Sequence, residues 1–504
     1  MSNLIGGFDS PTQAAQLKLV LLQRALSNKI QISKEALALL LQSTNPSSQL
    51  EQLIQKVKQN NEFVILPKHF IHFSNQLHSP PPSKPPQSFK SIEIVHDYIT
   101  TPPVGNLKDM ANYFANRLLQ FKKYLQPRLS NLHSIANIQK ANNEKMSVIG
   151  LVMDKRKTKN GNIVLEVEDL SGVGKVIISR GELLVQADEI LYDEVVGITG
   201  TASKGVLFAE EITEPDLPVK REPKFTKETA YAAFISDVHV GSKRFLQDNF
   251  ENMLDFISGK GESILLESQQ EIIDNLKYIF VAGDIVDGIG IYPGQEKELS
   301  MPNIYAQYKE TARLFAKIPE HIQIIACPGN HDYVRLAQPQ PPVEREVAPE
   351  MYELPNLTFI SSPGVVRVRP FENENTALTT LLYHGTSIDT IVPNVSSLKD
   401  GYKHPEKVML SLLKKRHLSP QYASGTVPSA HTSDPMTIPE DIDIIHTGHV
   451  HSNGILNYRG VSLINSGTWQ GITDFQKFLG HEPTPCRMPV MNLKNRQIKL
   501  LSFE

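Results

Sequence analysis

The chain has 504 residues and a formal net charge of −3, from 51 Lys and Arg against 54 Asp and Glu, with 40% hydrophobic residues. That length exceeds one core and implies roughly two to four domains, and the near-balanced charge excludes a globally basic nucleic-acid binder, so any such surface must be local. Two cysteines, Cys327 and Cys486, exclude a disulfide scaffold and are expected to be small buried apolar residues in a reducing compartment. No apolar run reaches the roughly eighteen residues of a membrane span, and MSNLIGGFDS lacks the charged and apolar regions of a signal peptide, so a soluble, cytoplasmic protein without a membrane partner is expected.

Residues 1–75 carry three helical patterns, LKLVLLQRAL, ISKEALALLLQS and PSSQLEQLIQKVKQ, with Ser33 as the N-cap of the second and Pro46 opening the third. This all-α module holds no titratable cluster and no glycine-rich loop, and its expected task is docking onto a partner. Residues 76–100 contain SPPPSKPPQS, whose prolines predict an extended linker. Over 101–145, LKDMANYFANRLLQFKKYLQPRL reads as an amphipathic helix that packs on the next domain. From 146 to 220 the pattern becomes short strands with turn signals. Asn160-Gly161 predicts a two-residue hairpin turn, and the strand number and size predict a small barrel of the oligonucleotide/oligosaccharide-binding (OB) type. Only Tyr192 and Phe208 offer stacking aromatics there, so protein contact suits the barrel as well as single-strand binding does. Basic stretches at 154–160, 219–227 and 413–417 permit local contact with nucleic acid, although each alone reads as a solvated loop or linker.

From 228 to 504, apolar runs of strand length alternate with helical segments such as FLQDNFENMLDFI and YAQYKETARLFAKI, which predicts a layered α/β domain. Five short motifs follow such runs: SDVHVGS after YAAFI, GDIVDG after YIFVA, CPGNHD after IQIIA, HG after TTLLY, and HTGHVHSNG after IDII. They put Asp237, His239, Asp284, Asn330, His384, His449 and His451 at strand ends, on a rigid frame. Two Asp, one Asn and four His without a thiolate suit Mn²⁺, Fe or Zn²⁺. Seven donors are too many for one ion, and two ions sharing a carboxylate form the arrangement that activates water against a phosphoester. Two further strings, GVGK at 172–175 and GIGIYPG at 288–294, have neither Walker-A spacing nor the context of a dinucleotide-binding helix.

In order, Asp-x-His, Gly-Asp-x-x-Asp, Gly-Asn-His-Asp, His-Gly and Gly-His-x-His resemble the calcineurin-like metallophosphoesterase superfamily. The resemblance implies that Asp237, His239, Asp284 and His451 hold one ion, that Asp284, Asn330, His384 and His449 hold the other, and that Asp284 bridges. It also implies that His331 is a non-ligand catalytic histidine donating to the leaving oxygen, oriented by Asp287. A cap on the turn after the strand is the competing role for Asp287. Phosphoprotein phosphatases continue the second motif as GDxVDRG, whereas Gly288 stands here in place of the arginine that grips phosphate. A substrate with several phosphates fits a site without that grip.

The strings GDIVDGIGIYPGQE, PGNHDYVRLAQPQPP and YHGTSID, downstream of the barrel and helical module, resemble the small subunits of archaeal family D DNA polymerases. The likeness spans nearly the whole chain, with the first 100 residues matching in layout alone. It implies a multidomain fold: an N-terminal all-α module, an OB-type β-barrel and a C-terminal α/β metallophosphoesterase sandwich over 228–504. It further implies a 3′-to-5′ proofreading exonuclease with two divalent ions, Mn²⁺ preferred, and pairing with a large polymerising subunit. Primer-template or single-stranded DNA, and replication factors reached through the N-terminal module, complete the implied partners. Two other readings compete: a non-catalytic scaffold subunit, which would lack metal ligands, and a stand-alone phosphoesterase, which would have little use for the barrel. QPQPP at 338–342 predicts a loop that shapes the cleft or meets the partner.

Overall fold

The computed structural model describes residues 11–28, 30–41, 46–59, 64–65, 91–98, 106–179, 181–260, 267–424, 434–479 and 482–504. The chain divides into two units, Met1–Ser88 and Phe89–Glu504. In the first, α1 (Pro11–Ser27), α2 (Lys34–Leu41) and α3 (Pro46–Gln59) share a core of Leu21, Ala25, Ala36, Leu40, Leu53 and Val57. Ser33 Oγ accepts from the Ala36 N–H at 3.2 Å, the N-cap that the sequence predicts. The unit is not purely helical: β1 (Gln31–Ile32) and β2 (Val64–Ile65) pair in parallel, and Ile65 of β2 joins the buried core with Ile30 just before β1. The proline-rich stretch 79–88 lies outside the described residues.

The second unit begins within the expected linker, where β3 (Ile92–His96) is an edge strand paired with Val365–Val368. Helix α4 (Leu107–Leu125) opens with a capping box between Asn106 and Asp109 and buries Tyr113, Arg117, Leu118, Phe121 and Leu125. Next come β4 (Glu144–Lys157), β5 (Ile163–Asp169), β6 (Gly172–Ile178), α5 (Gly181–Asp188), β7 (Val195–Ser203) and β8 (Val206–Thr213). The five strands close a barrel in the order β4-β5-β6-β8-β7 around Val148, Val152, Leu165, Val176, Ile198 and Leu207. The hairpin between β4 and β5 differs from expectation. Gly161 alone takes a left-handed φ of 78°, Thr158 exchanges backbone bonds with Gly161 and Asn162, and the connection is longer than two residues. A two-residue type I′ turn needs two positive φ values, and Asn160 does not supply one.

The remainder forms two facing six-stranded sheets. The first contains β9 (Tyr231–Ile235), β10 (Leu276–Ala282), β11 (Gln323–Cys327), β12 (Leu357–Phe359), β18 (Arg487–Asn492) and β19 (Ile498–Ser502), in the order β12-β11-β10-β9-β18-β19. The second joins β3 to β13 (Gly364–Val368), β14 (Leu378–Leu382), β15 (Ile444–Thr447), β16 (Asn453–Tyr458) and β17 (Val461–Ser466), in the order β16-β17-β15-β14-β13-β3. Phe234, Phe280, Ile325, Val366, Leu382 and Ile444 fill the space between the sheets. Outer helices cover both faces. On the first sheet lie α6 (Gln247–Ile257), α7 (Glu267–Asn275) and α8 (Ile304–Phe315), with Phe250, Met253, Leu254 and Ile257 giving α6 its apolar stripe. On the second sheet, α10 (Pro405–Lys415) buries Met409 and Leu413 against Leu381 and Leu463; α9 (Ile388–Asn394) and α11 (Asp474–Leu479) lie in connections. Strands covered on both sides need unbroken apolar runs, which is why YAAFI is buried at every position. No described helix is long and apolar enough to cross a membrane. Cys327 and Cys486 are free and buried.

Candidate metal centre

Strands β9, β10 and β11 run parallel, as do β14 and β15, so the five motif loops leave strand C-termini along one edge of the sandwich. Asp237, His239, Asp284, His449 and His451 have φ of 50°, 54°, 49°, 73° and 58°. Side chains avoid this left-handed region at a cost of about 1–2 kcal/mol per residue. Its concentration in five of the seven proposed ligands is strain held by the surrounding structure, as functional loops show. A close approach is built in as well: a β-carbon on Gly329 would lie 2.1 Å from Asp284 Oδ1.

The hydrogen bonds around the histidines fix which nitrogen faces inward. His384 Nδ1–H donates to the Ala282 carbonyl at 2.8 Å, leaving the Nε2 lone pair toward Asn330 Oδ1 at 3.0 Å and Asp284 Oδ2 at 3.1 Å. His239 Nδ1–H donates to Asp287 Oδ1 at 3.0 Å, leaving Nε2 facing His451 Nε2 at 3.1 Å and Asp284 Oδ2 at 3.8 Å. His449 Nε2–H donates to Asp389 Oδ2 at 2.8 Å, leaving Nδ1 toward Asn330 Oδ1 at 3.1 Å. His451 meets the Gln476 amide through Nδ1 at 2.7 Å, and its Nε2 lies 3.3 Å from Asp237 Oδ1. At His384, His239 and His449 acceptors therefore converge on acceptors, whereas His451 Nδ1 accepts from the Gln476 amide N–H, and Asp284 stands where the two groups meet. Burial disfavours the His384 imidazolium, yet Asp284 beside it pushes the pKa up to about 10. Burial alone would raise the Asp284 carboxyl, and His384 and His331 hold it well below the usual carboxylate range. The cluster calls for positive charge.

Divalent cations fit that demand. Ligands about 2.1 Å from an ion stand roughly 3.0 Å apart in an octahedron and roughly 3.4 Å apart in a tetrahedron. The separations of 3.0, 3.1 and 3.3 Å above match those edges, and the 3.8 Å between His239 Nε2 and Asp284 Oδ2 exceeds them. Asp237, His239 and His451 bring one ligand atom each within 4.8 Å of the others, as do Asp237, Asp284 and His384, and also His239, Asp287 and His331.

Asp287 meets His331 through its backbone and not through its side chain. Its carboxylate binds His239 and the Gln470 amide, the latter at 3.0 Å. What orients His331 is the Asp287 backbone carbonyl, which accepts from His331 Nδ1–H at 2.7 Å. His331 Nε2 lies 4.0 Å from Asp284 Oδ2, and burial lowers the imidazole's pKa. Sequence reasoning gave no role to Asp332, although GNHD contains it. Its Oδ2 accepts from Gly329 N at 2.9 Å and Ile285 N at 3.3 Å, and its Oδ1 accepts from Tyr308 OH at 3.0 Å. It thereby ties two motif loops together, and burial with Asp284 nearby pushes its carboxyl up to about 6. Asp389, Gln470 and Gln476 were also missed. Only Asp389 left a signal, inside YHGTSID. A cleft of about 400 Å³ opens onto the cluster, lined by Tyr292, His331, Tyr402, His449, Gln470 and Gln476 among others, with no Lys or Arg among its described lining residues.

The family model described as calcineurin-like phosphoesterase matches residues 231–453. The DNA polymerase II small subunit of Methanothermobacter thermautotrophicus is 37% identical over 94% of this chain and 97% of its own length. The chain belongs to the DNA polymerase II small subunit family. The small subunit of Methanocaldococcus jannaschii is 39% identical over 77% of this chain, and that match spans 64% of the relative's length. The small subunit of Thermoplasma acidophilum is 32% identical over 96% of this chain and 93% of its own. This small-subunit chain thus joins a closed five-stranded barrel to a metallophosphoesterase domain, whose class implies divalent metals.

Proposed function

We propose that this chain is the small subunit of a two-subunit archaeal replicative DNA polymerase and carries its 3′-to-5′ proofreading exonuclease. The convergence of imidazole lone pairs and carboxylates on Asp284 carries this reading, because a scaffold would not need it. Asp237, His239, Asp284 and His451 would hold one ion, and Asp284, Asn330, His384 and His449 the other. Mn²⁺ is the ion implied by the resemblance, and Fe or Zn²⁺ suits the same donors. When bound, the ions supply a water made nucleophilic at neutral pH and neutralise charge on the phosphoryl oxygens.

The chain's own groups do the rest. His331 commits Nδ1–H to the Asp287 carbonyl, so its Nε2 donates to the leaving 3′ oxygen only as imidazolium, the form that burial disfavours and the nearby Asp284 carboxylate favours. The Asp287 carboxylate holds His239 in register. With no Lys or Arg among the described residues lining the cleft, the substrate is held through phosphates beyond the scissile one, as a polynucleotide allows. The barrel's strand order supports the OB-type reading. The helical module would dock partners, with the large polymerising subunit as the obligate one, in the cytoplasm. The test is a nuclease assay on the reconstituted two-subunit complex with 5′-labelled single-stranded and 3′-recessed DNA. Wild type shortens both from the 3′ end in Mn²⁺, and Asp284→Ala does not. Wild type that hydrolyses neither substrate in Mn²⁺, Fe²⁺ or Zn²⁺ would leave the scaffold reading standing instead.

A further inference from the structure

Asp389 has no part in the chemistry above, yet it closes a chain of side chains that ends on a proposed ligand. Its Oδ2 accepts from His449 Nε2–H at 2.8 Å, and its Oδ1 accepts from Tyr402 OH at 3.1 Å. Asp389 stands in the first turn of α9, and Tyr402 follows that helix by one short segment. The apolar cluster beneath sets their positions: Ile388, Ile391 and Val392 of α9 pack in one group with Val450, next to His449, and Tyr402 packs against it. The helix that carries Asp389 and the loop that carries His449 are thus held to one frame. On the other side of the cluster, Asp287 does the same for His239 at 3.0 Å. Each half of the constellation therefore has one histidine backed by a carboxylate, an arrangement that fixes the tautomer and raises ligand basicity. Asp287 is buried, whereas the Asp389 side chain is 53% exposed and reaches the cleft.

Resting on the metal reading above, we infer that Asp389 is a positioning residue for the ion held by Asp284, Asn330, His384 and His449: it keeps His449 Nδ1 unprotonated and aimed inward, and Tyr402 keeps Asp389 in place. The experiment is calorimetric titration of the full chain with Mn²⁺, with chelator-treated melting as the check on folding. Asp389→Ala should weaken one of two Mn²⁺ binding events by about 10–100-fold and leave the other unchanged. Asp389→Asn should recover most of the loss, because its amide oxygen still accepts from Nε2–H, and Tyr402→Phe should lose only a few-fold. Wild-type Mn²⁺ affinity in Asp389→Ala would overturn the inference, as would an Asn variant no better than Ala. Melting of chelated Asp389→Ala should match wild type, and if it does not, the Asn comparison still decides. The exonuclease reading fails separately: a wild type that binds two Mn²⁺ and cleaves no DNA would refute that activity and leave this positioning role intact.

Discussion

Gly329→Ala adds one methyl group where the structure leaves no room for it. The new carbon would lie 2.1 Å from Asp284 Oδ1, 2.5 Å from Asp284 N and 2.8 Å from Asp284 Cγ. An ordinary carbon contact needs about 3.5 Å, so one side must give by roughly 1.4 Å. Asp284 has little freedom: its φ is 49°, its Oδ1 accepts from His331 N at 2.8 Å, and its carbonyl accepts from His239 N at 3.1 Å. Gly329 is held as well, through its N–H to Asp332 at 2.9 Å. Overpacking of this kind costs about 1–3 kcal/mol, which a domain of this size survives. The proposed bridging carboxylate of Asp284 would move by more than an ångström, and a misplacement of about 1 Å costs on the order of 100-fold in turnover. Turnover on single-stranded DNA in saturating Mn²⁺, alongside Mn²⁺ titration and thermal melting, gives the comparison. A folded Gly329→Ala with wild-type turnover and Mn²⁺ affinity would refute the reasoning.

His331→Ala should keep its metal content and lose about 10²–10⁴-fold in turnover, and metal analysis showing an empty site would move His331 among the ligands. Arg117→Met strips one of two partners from Asp434, His417 being the other; the Arg117 and Asp434 side chains are fully buried and 2.6 Å apart, and the loss should cost about 3–5 kcal/mol in denaturant unfolding. Adding Asp434→Asn should return part of that loss, and a double variant no more stable than Arg117→Met alone would contradict the pairing. Burial would raise the Asp434 carboxyl, but Arg117 and His417 hold it below its usual range, so its contribution is present above its unfolded value of about 4 and disappears as pH falls below it. The gap in melting temperature between wild type and Asp434→Asn should therefore narrow between about pH 6 and about pH 3, and a constant gap would rule this out. Free Mn²⁺ at about 100 times its dissociation constant should stabilise the chain by about 2.7 kcal/mol per ion, a gain that chelator abolishes, and melting unmoved by either would exclude binding to the folded state.

The sequence exposes some layers of this structure better than others, for physical reasons. Runs such as YAAFI and YIFVA were readable because a strand covered on both faces has to be apolar at nearly every position. β3 was not, because IEIVH is an edge strand whose partner, Val365–Val368, lies far along the chain, and a proline-rich stretch precedes it. The donors themselves were legible as residue types at strand ends. Which nitrogen each histidine turns inward was not, because that depends on outer partners contributed by other elements: the Ala282 carbonyl, Asp287 and Asp389. Which part of Asp287 meets His331 was not legible for the same reason. Its backbone and its side chain point to different histidines, and spacing along the chain does not distinguish them.

The glycine that separates this site from the phosphoprotein phosphatases has a structural cause. Gly288 has φ of 73°, its N–H donates to Gln307 Oε1 at 2.9 Å, and a β-carbon there would lie 2.3 Å from the His331 carbonyl oxygen. The loop is therefore pressed against the backbone of the residue that Asp287, immediately before it, orients through its own carbonyl. An arginine at 288 would have to push His331 away from that carbonyl. In this chain, a phosphate-gripping side chain at 288 and a fixed His331 exclude one another. Gly288→Arg should accordingly cost turnover through His331 rather than gain phosphate affinity, and a variant with a lower KM and an unchanged kcat would show that the loop yields.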